Sequence, residues 1–310
     1  MQDQPPACWV VTDGGAGNET QALGLAEAIG RLAAIDLAAK RIRPTPFAGD
    51  ALKRIGAPPF PALWIGCGRA AAALTIAAKR RNPATYTVQI QNPRAPLGRF
   101  DLVVAPAHDG LVGDNVITMI GAPNRIAAPA KKPRLPEKTL AVLVGGPNRA
   151  FRLGRADGRD LAAALRALAD GGARLLITTS RRTPPEAADA LERGVKDRAR
   201  LFWRADCDSP ADNPYPRMLA EADAVLVTED SVNMASEAAS AGLPVLVAPL
   251  RRRRCASARK FDAFHDSLRA RGVARAFSGH IELWTPEPLK ETDRVAAEIV
   301  RRWRSQNRVR

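Results

Sequence analysis

Aromatic residues make up only 5% of the 310-residue chain, and it has just three histidines. So few rings leave little material for base-stacking platforms, and no zinc-finger, RNP or heptad pattern occurs, so no nucleic-acid partner is expected. Long apolar runs are also missing. The longest, such as Ala70 to Ala78, falls far short of the ~18 uncharged residues a spanning helix needs. Met1 to Ala7 carries Asp3 and two prolines but no basic start and no apolar stretch, so no secretory signal is read there and the expected location is cytoplasmic. Cysteine pairs are absent too: Cys8, Cys67, Cys207 and Cys255 lie far apart, with no CxxC and no histidine at ligand spacing. They read as reduced thiols, and neither a metal centre nor a cofactor is expected.

What the chain does have is charge and a repeated pattern. Its net charge is +15, a balance that suits an anionic partner. The excess is spread evenly, however. Up to Pro136 there are 16 basic and 9 acidic residues, and 31 and 23 after it, so no single tail carries it. With 46% hydrophobic and 25% charged residues, the composition is globular, and the length suggests about two domains.

Short apolar runs alternate with Ala- and Leu-rich helical stretches, the mark of βαβ units and parallel sheets. In the first half, strands are expected at Cys8–Thr12, Leu37–Ile42, Ala62–Ile65, Tyr86–Ile90, Asp101–Ala105 and Val116–Met119, with helices at Glu19–Leu32 and Arg69–Lys79. Ala127 to Pro136, with three prolines and three basic residues, reads as a linker. The second half restarts at Thr139–Val144, with strands at Arg174–Thr178, Arg200–Trp203, Ala224–Val227 and Pro244–Ala248. Its helices are expected at Asp157–Leu168, Pro185–Arg193, Pro216–Glu221, Ser231–Ala241 and Lys260–Arg271, and a last one at Glu287–Arg304 has Pro286 and Pro288 at its start. The fold class is therefore α/β: two doubly wound parallel-sheet domains, 1–126 and 137–285, joined by a linker at 127–136. A C-terminal helix within 286–310 is free to pack back on the first domain. A cleft between the domains is expected, and in such sheets ligands bind beyond the carboxyl ends of strands.

Four turns at those ends can carry chemistry. Asp13-Gly14-Gly15-Ala16-Gly17-Asn18-Glu19 precedes a helix whose first N–H groups are free for an anion, although a plain tight turn uses glycine in the same way. Gly66-Cys67-Gly68-Arg69-Ala70-Ala71 fits the dinucleotide pattern G-x-G-x-x-A, yet no Asp or Glu occurs between Gly68 and Asp101 to hold a ribose, which argues against a nicotinamide enzyme. Gly145-Gly146-Pro147-Asn148-Arg149 offers backbone donors, an amide and a guanidinium suited to a diphosphate, or an ordinary turn with an exposed Arg. The run Thr228-Glu229-Asp230-Ser231-Val232-Asn233 caps a helix through Asp230 or Ser231, and Glu237 follows on that helix amid small residues. There it is either a solvated surface residue or a carboxylate awaiting paired hydroxyls.

The stretch Ser236 to Pro244, SEAASAGLP, resembles the donor-nucleotide segment of GT-B glycosyltransferases, especially the enzyme that forms lipid II. Over nearly the whole chain, TDGGAGNETQALGLAEAIG, QIQNPR, FDLVVAPAHD, GGPNRAF, TEDSVNMASEAASAGLPV and KFDAFHDSL resemble the mitochondrial fission ("elongated mitochondria") family, whose bacterial homologues have also been labelled nucleoside-diphosphate-sugar epimerases. The resemblance implies two Rossmann-like domains in a GT-B-like arrangement and a nucleotide sugar, UDP-type favoured, in the second. It further implies a lipid-linked or glycan acceptor on the first domain, and transfer without a metal, epimerisation, or a non-catalytic role in organelle division at a membrane.

Glu237 would then hold the ribose. Gly145, Gly146, Asn148, Arg149, Glu229, Asp230, Ser231, Asn233, Arg259 and Lys260 would line the diphosphate and sugar, with Gly14, Gly15 and Gly17 at the first turn. The family often has an ionisable residue where this chain has Asn18, which cannot act as a base. The catalytic candidates are therefore Asp13, Glu19, His108 and Asp109. Arg251 to Arg254 is expected as a solvated loop. The basic end with Arg301, Arg302, Trp303, Arg304, Arg308 and Arg310 fits weak attachment to an anionic membrane surface, at the inner face, as well as a packed helix.

Overall fold

The computed structural model describes residues 4–42, 59–126, 137–254 and 256–308. The segment 127–136, read as a linker, and Cys255 lie outside the described residues. The chain divides into two compact units, residues 1–125 with 290–310, and residues 126–289.

Unit 1 is built on β1 (Ala7–Thr12), α1 (Ala16–Gly30), β2 (Asp36–Arg41), β3 (Leu63–Cys67), α2 (Arg69–Arg81), β4 (Tyr86–Ile90), β5 (Leu102–Pro106) and β6 (Val116–Met119). Its six strands lie in the order β2-β1-β3-β4-β5-β6, all parallel. LWIGC and YTVQI are buried along their whole length, which is why they read as continuous apolar runs rather than alternating ones. On one face, α1 sets Leu25 and Ile29 against Val10, Ile65, Val88 and Val104. On the other, Leu74 and Ala78 of α2 cover Val11 and Trp64, and the indole N–H of Trp64 is satisfied by the Thr75 hydroxyl at 3.0 Å. The order reverses between β1 and β3, so the crevice beyond their carboxyl ends is the switch point of this sheet.

Unit 2 comprises β7 (Thr139–Val144), α3 (Arg155–Asp170), β8 (Arg174–Thr179), α4 (Pro185–Val195), β9 (Ala199–Arg204), α5 (Tyr215–Glu221), β10 (Ala224–Thr228), α6 (Val232–Ser240), β11 (Val245–Ala248), α7 (Arg259–Ala270) and β12 (Ala274–Ala276). The strands are again all parallel, in the order β12-β11-β10-β7-β8-β9. Leu140, Val142, Leu165, Leu175, Ile177, Leu191 and Leu226 form the core beneath α3 and α4. The switch point lies between β7 and β10.

The chain then returns to unit 1 as α8 (Glu291–Arg308). Val295, Ile299, Val300 and Trp303 of this helix enter the unit 1 core, with Trp303 only 5% exposed. Glu291 at its first turn accepts the Ile120 amide at 2.8 Å. The helix begins four residues later than the periodicity suggested, because Leu289 is still held by the Ala239 carbonyl at 2.9 Å.

Candidate functional site

The polar groups of unit 2 converge at its switch point. Gly145 and Gly146 leave the end of β7 beside the end of β10. The Gly145 amide donates to the Thr228 hydroxyl at 2.8 Å, and the Gly146 amide to Asp230 Oδ2 at 2.9 Å. Thr228 in turn donates to Asp230 Oδ1 at 2.7 Å, and Arg182 pairs with Oδ2 at 3.0 Å. The Asp230 side chain is completely buried. Burial pushes its pKa up, and the Gly146 amide, Thr228 and Arg182 oppose that. Asp230 thus serves the turn rather than a free cation or hydroxyl. A Cβ on Gly145 would fall on the Asp230 carboxylate, and one on Gly146 on the Arg182 carbonyl, so both glycines are required by close approach.

Helix α6 starts immediately after this turn. Ser231 is its N-cap, accepting the Met234 amide, while half-buried Asn233 sits in the first turn. Of the two cap candidates, Ser231 performs the role and Asp230 does not. Glu237 lies ~9 Å further along the helix axis, six residues at 1.5 Å each. It is not solvated: the residue is only 9% exposed, and the Tyr215 hydroxyl donates to its Oε2. Desolvation pushes the Glu237 pKa up to about 7, partly offset by the Tyr215 hydrogen bond, while burial and the adjacent carboxylate push Tyr215 upward. Tyr215 and Arg182 escaped the sequence reading, and Thr228, although it opens the run read there, was given no role. Tyr215 stands 22 residues from Glu237 with no motif joining them.

The remaining unit 2 candidates divide. Asn148 uses its Oδ1 on the amides of Ala150 and Phe151 at 2.7 and 3.0 Å, folding its own turn, whereas Arg149 is exposed. Half-buried Glu229 accepts the Leu250 amide at 3.0 Å, and burial pushes its pKa up. Its carbonyl contacts His265 Nε2 at 2.8 Å. Arg259 and Lys260 are exposed at the start of α7. The Arg251 to Arg254 segment is exposed but not simply solvated. Arg251 pairs with Asp157 at 2.6 Å and Arg252 with Asp262 at 2.5 Å, and the backbone bridges to Phe151. Backbone pairing to 150–152 holds this loop in a way charge composition does not reveal.

In unit 1, α1 begins at Ala16 rather than Glu19, which moves Gly17 and Asn18 out of the loop into the first helical turn. Gly14 and Gly15 remain in the turn, where Asp13 Oδ1 accepts the Gly15 amide at 2.9 Å and the Asn18 side-chain amide at 3.1 Å. Glu19 is held by Arg41, whose Nε and Nη2 reach one carboxylate oxygen at 3.0 and 2.8 Å. His108 and Asp109 are half-buried in a single 3-10 turn after β5. At the C-terminal end Trp303 is buried in the core, so it is not available to a membrane surface. Glu298 pairs with Arg301 and Arg302, each at 2.6 Å, and these contacts lower its pKa to about 2. No helix among the described residues is long and apolar enough to cross a membrane.

Comparison with known proteins places this architecture. The family profile "Mitochondrial fission ELM1" matches residues 16–303. The mitochondrial fission protein ELM1 of Arabidopsis thaliana is 30% identical over 280 residues, covering 78% of this chain but only 64% of that protein. The chain thus spans less than two thirds of the length of this plant relative. Among solved structures, the glycosyltransferase SnogD from Streptomyces nogalater matches with a TM-score of 0.52 and 12% identity, over 97% of this chain and 95% of that one. The UDP-GlcNAc 2-epimerase from Methanocaldococcus jannaschii matches with a TM-score of 0.52 and 9% identity, over 95% and 99%. At those identities the likeness is one of fold: two Rossmann-like parallel sheets of the GT-B-like α/β class. Together with the profile match across most of the chain, this makes the protein a member of the mitochondrial fission ELM1 family with a GT-B-like fold.

Proposed function

We propose that the chain is a nucleotide-sugar-dependent glycosyltransferase of GT-B type, with the donor held by unit 2 and the acceptor by unit 1. The observation that carries this is the unit 2 switch point. Two glycines fixed by Thr228 and Asp230, the start of α6 and the buried carboxylate of Glu237 follow one another over a length that a diphosphate joined to a ribose spans. Tyr215 occupies Glu237 Oε2 and leaves Oε1 for the ribose hydroxyls, while Arg149, Arg259 and Lys260 supply exposed cations for the diphosphate. UDP-type donors fit the solved relative whose substrate name carries UDP-GlcNAc.

Transfer would be a direct displacement in which the acceptor hydroxyl loses its proton to a base as the nucleoside diphosphate leaves. Glu19 is ion-paired and Asp13 holds Gly15 and Asn18; we assign the base to His108, in the turn after β5, because imidazole is the side chain best suited to general-base chemistry. Calorimetry with UDP should show binding that Glu237→Ala weakens at least about tenfold, the loss of one charge-assisted hydrogen bond. His108→Ala should keep UDP affinity and lose turnover. Full UDP affinity in Glu237→Ala removes the donor site. A second reading, a nucleotide-sugar binder without transfer, is favoured by Asn18, which stands where an ionisable group would serve as base. In that case UDP binds, His108→Ala changes nothing, and no glycosylated product forms; interconverted free nucleotide sugar would instead mark an epimerase.

A further inference from the structure

Among the described residues, two that are not glycine have a positive φ, Gln91 at +71° and Arg94 at +51°. Both lie in the QNPR turn that follows β4. The left-handed region is costly for a residue bearing a Cβ, and glycine adopts it freely. Strain of this kind persists where the surrounding structure over-determines it, and it clusters at ligand sites. What holds Gln91 is its side chain. Its Nε2 donates to Asn18 Oδ1 at 2.9 Å and to Gln21 Oε1 at 3.2 Å.

The orientation of these amides is fixed by chemistry. Asp13 can only accept, so Asn18 turns Nδ2 toward it at 3.1 Å. Asn18 must then present Oδ1 to Gln91, which obliges Gln91 to present Nε2. Gly68, at φ +80°, leaves the space Asn18 fills, since a Cβ there would collide with the Asn18 amide. Two polar valences are left over. Gln91 Oε1, on a half-buried residue, and the second Nδ2 hydrogen of Asn18 have no partner among the described residues. They leave an acceptor on Gln91 and a donor on Asn18, two side chains joined at 2.9 Å beyond the carboxyl ends of β1, β3 and β4. Asp13, 3.1 Å from the Asn18 amide, places a carboxylate beside this pair, and it disfavours an anion.

We propose that Gln91 and Asn18 form a binding subsite for an uncharged hydroxyl-bearing ligand, a carbohydrate, with Gln91 Oε1 accepting from a hydroxyl and Asn18 donating to an oxygen. Asp13 is then a positioning residue that sets the polarity of the amide chain, not a base. The class of ligand rests on the transferase reading, and the test reads sugar binding without nucleotide.

Saturation-transfer NMR of the full chain with maltose, cellobiose and diacetylchitobiose is compared with glycerol 3-phosphate as an anionic control, and UDP calorimetry is run on the same samples. Wild type should take up saturation from at least one neutral disaccharide in preference to the phosphate. Gln91→Gly should lose that binding at least tenfold while its Tm stays level or rises, because glycine relieves the backbone. Asp13→Asn should reduce the preference for the neutral sugar over the phosphate at unchanged UDP affinity. A lower Tm in Gln91→Gly, with or without binding, makes Gln91 a structural brace and overturns the proposal. So does a wild type silent to all three disaccharides, and because UDP binding is read separately, either failure is distinct from failure of the donor site.

Discussion

Glu237 shows how burial changes the behaviour of a single carboxyl. Its pKa rises from 4.5 to about 7 because desolvation outweighs the Tyr215 hydrogen bond. Between those values the folded chain keeps a proton the unfolded chain has released, so stability falls as pH rises through that window and levels off above it. The loss is ~3 kcal/mol at most, from 1.36 kcal/mol per pKa unit. Glu237→Gln should match the wild type near pH 4 and exceed it in urea denaturation at pH 8. Equal pH dependence in the two proteins would mean that Glu237 stays hydrated when folded. The sequence singled out this residue as a carboxylate amid small neighbours but left open whether it was solvated, and its burial emerged only in the fold. It did not signal Tyr215, because a contact across 22 residues is set by where α5 and α6 dock and not by local spacing. Gln91 was hidden for a similar reason: a glutamine in a left-handed turn obeys no turn preference, and only the partners Asn18 and Gln21 explain it.

At the scale of elements, the turn after β7 and the turn after β10 behave as one unit, tied by Asp230. Gly145→Ala drives a methyl group into a buried carboxylate, an overpacking cost of about 1–3 kcal/mol. Asp230→Ala alone strips the turn of its acceptor and leaves Arg182 unpaired. Because each change removes the reason the other is harmful, the double variant should cost less than the sum, which a double-mutant cycle of urea midpoints measures. A strictly additive cycle would show that the two turns are independent. Most elements were legible because buried parallel strands leave continuous apolar runs, and Tyr86–Ile90, Val116–Met119 and Thr139–Val144 were found to the residue. β12, with the sequence Ala-Arg-Ala, was not. Three residues with two of them exposed carry no periodicity, and the strand exists because β11 offers it an edge. The start of α1 was also misplaced, since its N-cap is Gly15 without a capping side chain, and a helix entered that way has no start signal to read.

For the whole molecule, a net charge of +15 does not by itself make a basic surface, because many arginines are paired with carboxylates on the same unit, as Arg204 is with Asp189, Glu192 and Asp206. The C-terminal helix follows the same logic: its aromatic residue belongs to the core of unit 1. Trp303→Ala should therefore destabilise by about 3–5 kcal/mol, the cost of truncating a buried large side chain, read as an early transition in thermal unfolding, whereas a surface anchor would leave the transition unmoved. The return of α8 also has a consequence for synthesis. Unit 2 is complete in sequence at Leu289, while unit 1 still lacks Val295, Ile299 and Trp303. On the ribosome the order of domain completion is thus inverted. The half made first must wait, with the apolar surface of α1 and β6 that α8 covers still exposed, until the half made second has emerged, and it is in that interval that the nascent chain is most exposed to chaperones and to aggregation.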